Sequence, residues 1–203
     1  MITETVFSTI RFNFSKMLHD YHKIVVLGMP LAGKTRFLCH LNGNKYEKRT
    51  TAIEDFRHFI IDVPGGKIYI DNGSDIGGTD AYCFLYGDLI QKNDLIFFIF
   101  DLNDFLYKEE YQRKTKARLD CIDYYCKEYG KKACIIASHL DIYSNAGKSS
   151  ATAFQEIKAI VYNEDLYKND FRGLFDDNKT FFVEDLTKKE SALKVIDCFL
   201  KIF

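Results

Sequence analysis

The sequence carries almost no excess of charge of either sign: its 203 residues have a formal net charge of −1. A nearly neutral chain produces no overall field that attracts nucleic acid or acidic membranes, so we expect no nucleic-acid partner. The chain also lacks an apolar run of the ~18 residues that a membrane span needs. Its start, Met1–Thr5, has no basic region of the secretory type. We therefore expect a cytoplasmic protein.

The sequence also lacks cysteine spacings typical of metal or redox sites. The six cysteines contain no Cys-x-x-Cys pair, and no cysteine–histidine spacing suits zinc. Cys121 and Cys126 lie five residues apart on a predicted helix, so they do not share a face. We expect buried thiols in a reducing compartment. Lipid attachment lacks an acceptor too, because residue 2 is Ile and the last residues do not form a prenylation box.

What the sequence does contain is a phosphate-binding pattern. Residues 28–35 read G-M-P-L-A-G-K-T, which fits G-x-x-x-x-G-K-[ST]. Glycines let the backbone curl so that successive N–H groups point at a triphosphate. Lys34 then reaches the outer phosphates, and the hydroxyl of Thr35 is a Mg²⁺ ligand. An apolar strand over 22–27 precedes this phosphate loop and a helix over 36–41 follows it, which is the setting that the motif requires.

Strands alternate with helices along the rest of the chain. A β-hairpin is predicted from residues 56–63 and the strand that begins at 68–71. Later buried strands are predicted over 95–101, 133–137 and 179–183. Helices are predicted over 81–92, 106–130, 152–161 and 188–202. This order predicts one α/β domain with a mostly parallel six-stranded sheet, one antiparallel hairpin strand and helices on both faces.

The order of these motifs resembles that of the Ras/Arf superfamily of small GTPases, over about residues 22–203. The resemblance implies a three-layer P-loop NTPase sandwich for those residues, with residues 1–21 as an amphipathic N-terminal extension. It also implies that GTP or GDP and Mg²⁺ are the ligands. The residues that would bind the nucleotide's phosphates lie in the phosphate loop and at the start of its helix: Gly28, Met29, Pro30, Leu31, Ala32, Gly33, Lys34, Thr35 and Arg36.

Residues 75–78, D-I-G-G, are similar to the family's D-x-x-G motif in its Arf-type form. By resemblance, Asp75 orients the Mg²⁺ shell through water. Gly78 offers its N–H to the γ-phosphate and so senses whether that phosphate is present. Asp71, which ends the apolar run of the strand, is the rival aspartate. Asp75 is preferred because only Asp75 has a glycine three residues later.

Two further positions concern magnesium and hydrolysis. A switch threonine that reaches Mg²⁺ is expected before the hairpin, where Thr50 and Thr51 compete and Thr51 is preferred. Thr79 stands where the family carries the glutamine that positions the attacking water. Threonine is too short for that task, so hydrolysis is expected to be slow, to borrow a partner's group or to use another residue such as Asp80. The implied catalytic set is Lys34, Gly78 and Thr79.

Residues 138–141, S-H-L-D, stand where the family has [NT]-K-x-D. By resemblance, Asp141 accepts hydrogen bonds from N1–H and the exocyclic amine of guanine, a pair that adenine does not offer. Ser138 and His139 depart from the pattern, and His139 is a candidate to stack on the base in place of the lysine. After the last strand, the resemblance implies a backbone N–H at Thr187 that helps to bind guanine O6, with Leu186 and Lys188 beside it in the binding set.

Three functions remain open on the sequence. The favoured one is a switch in which GTP orders residues 43–55 and 75–92 for a protein effector. The second is a nucleotide-binding module without turnover, which the departures at the glutamine and lysine positions favour. The third is a P-loop kinase of small molecules, ranked last because no arginines cluster into a catalytic lid. The apolar helical face within residues 1–21 either packs on the domain or contacts a membrane weakly.

Overall fold

The computed structural model describes residues 21–43, 54–63, 66–78, 80–145, 147–162, 174 and 179–202. Three of the predicted features lie outside these ranges: the extension over residues 1–20, the switch threonine Thr51 with its neighbour Thr50, and Thr79 at the glutamine position. Tyr21, the last residue of the predicted extension, is the first residue of a strand.

One six-stranded sheet organises the chain. Its strands are β1 (Tyr21–Gly28), β2 (Glu54–Val63), β3 (Gly66–Asp75), β4 (Leu95–Asp101), β5 (Ala133–Ser138) and β6 (Phe181–Val183). They lie side by side in the order β2-β3-β1-β4-β5-β6. All neighbours are parallel except β2 and β3, which form the antiparallel hairpin. The predicted α/β class and the mostly parallel sheet with one antiparallel strand are confirmed.

The two central strands are apolar and covered on both faces. In β4, residues 95–100 are completely buried, as are residues 24–27 of β1. Continuous runs of Ile, Leu, Val and Phe form such strands because each face needs an apolar side chain. Aromatic rings pack between the sheet and the helices. Phe37 of the first helix, for example, packs against Phe97 of β4, with ring centroids 5.0 Å apart.

The third strand, β3, continues four residues beyond the predicted end of its apolar run at Asp71. Its backbone is hydrogen-bonded on both sides, to β2 and to β1, so main-chain pairing holds the polar residues 72–74 in the strand. Gly73 allows close packing there, because a Cβ atom would lie 2.9 Å from Cγ2 of Ile24. The extension places Asp75 opposite Val26, near the carboxyl end of β1.

Seven α-helices connect the strands in the described residues. They are α1 (Lys34–Asn42), α2 (Tyr86–Lys92), α3 (Leu102–Tyr107), α4 (Glu109–Glu128), α5 (Leu140–Ser144), α6 (Ser150–Tyr162) and α7 (Lys189–Leu200). A 3₁₀ turn, Asp80–Leu85, leads directly into α2. Helix α1 packs against α7, and α2 and α3 pack against α4. These two groups of helices are compatible with a three-layer sandwich.

The structure divides the predicted long helix over 106–130 into two. Asp101 caps α3, since its side chain accepts a hydrogen bond from the backbone N–H of Asp104. Lys108 then adopts an extended backbone, which ends α3 and precedes the first turn of α4. No helix in the described ranges is long and apolar enough to cross a membrane. All six cysteines are free thiols.

Candidate functional site

The loops that carry the predicted site residues follow strands of one sheet. Strands β1, β3, β4, β5 and β6 run parallel, so their carboxyl ends lie at the same edge. Ligands of open α/β sheets bind outside this edge. The phosphate loop follows β1, residues 75–78 follow β3, Asp101 ends β4, residues 138–141 follow β5 and residues 184–188 follow β6. The topology therefore brings together segments far apart in the chain.

The phosphate loop begins with a glycine that no other residue can replace. Gly28 has φ 141°, and a Cβ atom there would lie 2.0 Å from the carbonyl oxygen of Ile99. The next N–H, that of Met29, donates to the same carbonyl at 2.9 Å. The loop is thus fixed directly against β4. Met29 and Ala32 are buried, whereas Leu31 is exposed and has a left-handed backbone with φ 59°.

The loop ends at the amino terminus of α1. Gly33, with φ 90°, precedes the helix, and its carbonyl accepts from the N–H of Phe37. Lys34 is 7% exposed, and its Nζ donates to the carbonyl oxygen of Met29 at 2.8 Å, so the side chain folds back across the loop. Burial lowers the pKa of Lys34 to about 8, although Asp75 works in the opposite direction.

Thr35 and Asp75 meet at the loop. The Thr35 hydroxyl donates to the Asp75 carboxylate, which is completely buried at the end of β3. Asp71 is elsewhere: it lies within β3, is 44% exposed and faces His58, whose Nδ1 is 3.4 Å from the carboxylate. Of the two rival aspartates, Asp75 is therefore the one that accepts a hydrogen bond from the phosphate loop. Thr51 and Thr79 lie outside the described residues.

Gly78 packs against the phosphate loop through its backbone. A Cβ atom at Gly78 would lie 2.4 Å from the backbone nitrogen of Pro30. The carbonyl of Gly78 accepts a hydrogen bond from Nη1 of Arg118 at 2.9 Å, and the same nitrogen donates to the carbonyl of Gly28 at 3.0 Å. Sequence reasoning missed Arg118. Its signal is a charged residue on the buried face of α4, beside Leu119.

A second group of residues follows β4 and β5. The hydroxyl of Ser138 donates to the carbonyl of Phe100 at 3.0 Å, so this side chain ties β5 to β4. His139 has a left-handed backbone, and its Nδ1 lies 2.7 Å from Oδ2 of Asp101. This hydrogen bond raises the pKa of His139. Asp101, which sequence reasoning did not assign to the site, therefore positions the imidazole.

Asp141 lies in the first turn of α5. Its Oδ1 atom is buried and accepts no hydrogen bond from any other group in the described part of the chain. A buried carboxylate oxygen without a donor is unfavourable by about 1–3 kcal/mol or more. A ligand donor that reached this atom, which is closed to solvent in this conformation, would remove that cost.

Leu186 lies against the phosphate loop at its other end, beside Gly33. The Leu186 side chain is buried, and its Cδ1 is 3.8 Å from the Cβ position of Gly33. The N–H of Thr187 donates to Asp185 at 2.9 Å, and Lys188 pairs with the same carboxylate at 3.1 Å. Arg36, on the first turn of α1, is near enough to His139 to oppose its protonation.

No protein-family model and no curated protein sequence matches this chain. Its function is inferred from the residues of the site.

Proposed function

We propose that this chain is a guanine-nucleotide-binding protein with the P-loop NTPase fold that works as a switch of the small-GTPase type. The observation that carries the proposal is that a buried cation, a hydroxyl and a fully buried carboxylate lie at one glycine loop: Lys34, Thr35 and Asp75. Burying charged groups is costly unless they are compensated. Phosphates would add compensation for the charge of Lys34, and a divalent cation for that of Asp75.

Mg²⁺ fits the donors of this site, because it prefers oxygen ligands and retains water. The Thr35 hydroxyl would ligate it and Asp75 would hold its water shell, while Thr51 is a further ligand candidate outside the described residues. The described residues contain no group of three or more His, Cys, Asp or Glu side chains suited to a metal. Phosphates and water would therefore complete the shell, and the cation would neutralise phosphate charge.

Guanine is the proposed base because of Asp141. Its buried Oδ1 lacks a donor within the described chain, and a carboxylate can accept from N1–H and the exocyclic amine of guanine together. Adenine presents no such pair of donors. A backbone N–H of residues 186–188 is proposed to contact guanine O6, and the ring of His139 to stack on the base. The N–H groups of Thr187 and Lys188 donate to Asp185, at 2.9 and 3.2 Å, so either would exchange that partner for guanine O6.

Hydrolysis is proposed to be slow or partner-assisted. Lys34 would stabilise charge on the phosphates, and the N–H of Gly78 would contact the γ-phosphate. Thr79 is too short to hold the attacking water as a glutamine does. Residues 43–55 and 75–92 are the proposed effector surface, ordered by GTP and released after hydrolysis.

Calorimetric titration of nucleotide-stripped protein in Mg²⁺ tests the binding proposal. We expect heat and saturable binding with GTP and GDP, and much weaker binding of ATP. Absence of heat with both guanine nucleotides would refute the proposal.

A nucleotide-binding module without turnover is the second candidate, favoured by Thr79, Ser138 and His139. Single-turnover hydrolysis separates the two functions. GTP loss at the rate of a protein-free control, with and without cell extract, would favour the module and exclude the hydrolysing switch.

A further inference from the structure

A second buried cation lies beside the phosphate loop, and none of the binding motifs includes it. Arg118 is in the middle of α4 and is only 4% exposed. Arginine is almost never buried without partners, because desolvating its charge is costly. Its contacts therefore identify the structure that it serves.

The Arg118 guanidinium joins three segments that are far apart in the sequence. Its Nη1 donates to the carbonyl of Gly28, at the start of the phosphate loop, at 3.0 Å, and to that of Gly78 at 2.9 Å. Its Nη2 contacts Oδ1 of Asp80 at 2.6 Å. Asp80 is the first residue of the 3₁₀ turn that leads into α2. One planar group thus links the phosphate loop, the D-I-G-G segment and the start of that turn.

These contacts restrict how far Gly78 can move. The backbone of Gly78 already lies against Pro30, as the 2.4 Å approach of a Cβ atom indicates. The guanidinium is a rigid fork whose donors have fixed directions, so a shift of Gly78 breaks its bond to Arg118. Arg118 contacts the carbonyl of Gly78 and leaves its N–H for another acceptor.

The contacts of Arg118 reach the protein surface at Asp80. Asp80 is 63% exposed and also lies 3.5 Å from Nζ of Lys114. The hydroxyl of Tyr86, on α2, contacts Arg118 and the backbone of Gly28. A displacement at Gly78 therefore alters contacts of the 3₁₀ turn and of α2.

We propose that Arg118 is a positioning residue that holds Gly78 where its N–H meets the γ-phosphate and couples that contact to Asp80 and α2. This inference rests on the proposed function. GDP lacks the γ-phosphate, so holding Gly78 in place benefits GTP alone. Without Arg118, GTP would have to hold Gly78 in place at the expense of its own binding free energy. GTP binding would therefore be weaker.

The test compares Kd values for fluorescent GTP and GDP analogues in the full chain with Mg²⁺. Arg118→Lys keeps the charge but loses the fork, and we expect GTP to bind about tenfold more weakly, in the usual range of coupling between sites. GDP should change less than about threefold. Arg113→Lys, an exposed position on the same helix, is the matched control and should change neither.

Asp80→Asn provides a second variant in case Arg118→Lys fails to fold. It leaves both buried carbonyl contacts in place and removes the carboxylate charge that Arg118 pairs with at the exposed end, so we expect GTP binding to weaken about threefold and GDP binding to be unchanged. Equal losses of GTP and GDP in the folded variants would show that Arg118 only supports the fold, and would overturn the inference. Wild-type protein that binds neither nucleotide would instead refute the proposed function, on which the inference depends.

Discussion

The two halves of the candidate site are built in different ways. The phosphate half consists of residues 28–35 and 75–80 with Arg118. Apart from the exposed Asp80, its charged groups are buried: Lys34 is 7% exposed, Arg118 4% and Asp75 not at all. The base half consists of Asp101 and residues 138–141 and 184–188. Its main ion pair joins His139, whose side chain is 27% exposed, to Asp101, whose side chain is 19% exposed.

The halves also differ in what holds them. In the phosphate half, backbone lies directly on backbone: a Cβ atom at Gly28 would overlap Ile99, and one at Gly78 would overlap Pro30. In the base half, side chains add contacts to the backbone hydrogen bonds, as when Ser138 bonds to the carbonyl of Phe100. Backbone contacts of the first kind tolerate only glycine, whereas side-chain contacts can be made by other residues. Residues 138–139, which depart from [NT]-K-x-D, belong to the half with more side-chain contacts, whereas Thr79, which replaces the expected glutamine, belongs by its position in the sequence to the phosphate half.

The largest expected effect tests the phosphate half. Lys34→Ala should abolish tight binding of GTP and GDP, with Kd raised at least a hundredfold, because a charge-assisted contact to phosphate is lost in a buried site. Titration with fluorescent nucleotide measures this. The nucleotide-free variant should unfold at or above the wild-type temperature, since burial disfavours the Lys34 charge.

The matched control is Lys67→Ala on the β-hairpin, where the ammonium is 61% exposed and 3.9 Å from Asp62. It should leave nucleotide affinity unchanged. Equal affinities in Lys34→Ala and wild type would remove Lys34 from the site.

The next effect tests the base half. Asp141→Ala should raise the Kd for GTP more than tenfold, because it removes the buried acceptor. The weak binding of ATP should not change. Competition of both nucleotides against a fluorescent analogue gives the discrimination ratio. Asp62→Ala, at an 80% exposed aspartate, is the control and should keep that ratio. A GTP affinity unchanged by Asp141→Ala would mean that Asp141 does not bind the base.

The pKa of Lys34 makes the phosphate half sensitive to alkaline pH. In the nucleotide-free protein this pKa is about 8, and phosphate charge should raise it. GTP binding above pH 8 should therefore take up a proton and weaken by up to about tenfold per pH unit. Calorimetry at pH 8.5 in two buffers of different ionisation enthalpy measures the uptake. Identical heats in both buffers would contradict it.

The same pKa predicts how stability varies with pH. Because the folded-state pKa of Lys34 is lower than the unfolded value of 10.5, the unfolded chain binds more protons between about pH 8 and 10.5. The contribution of Lys34 to stability without nucleotide therefore rises through this range, and denaturant titration of wild type against Lys34→Ala isolates it.

Much of this architecture follows from local sequence, and the rest depends on contacts across the fold. The apolar runs of β1, β4 and β5 and the glycine loop predict the sheet and the phosphate half. The end of β3 could not be predicted, because residues 72–74 are polar and are kept in the strand by main-chain pairing with two neighbouring strands. Lys108 breaks a helix that periodicity alone predicts as continuous. Arg118 acts through carbonyls 90 and 40 residues away, which no local pattern encodes.

The smallest expected effect concerns the ion pair of the base half. Because Asp101 raises the pKa of His139 above 6.5, the pair stabilises the folded protein fully below pH 6.5 and less as pH rises through the raised pKa. His139→Gln should therefore lower the free energy of unfolding by about 1 kcal/mol at pH 6 and by less at pH 9, as denaturant titrations measure. His58→Gln, where the imidazole is 74% exposed beside Asp71, is the surface control. A loss of unfolding free energy in His139→Gln that does not vary with pH would mean that packing, rather than charge, stabilises the base half. The contrast with the charged phosphate half would then be sharper.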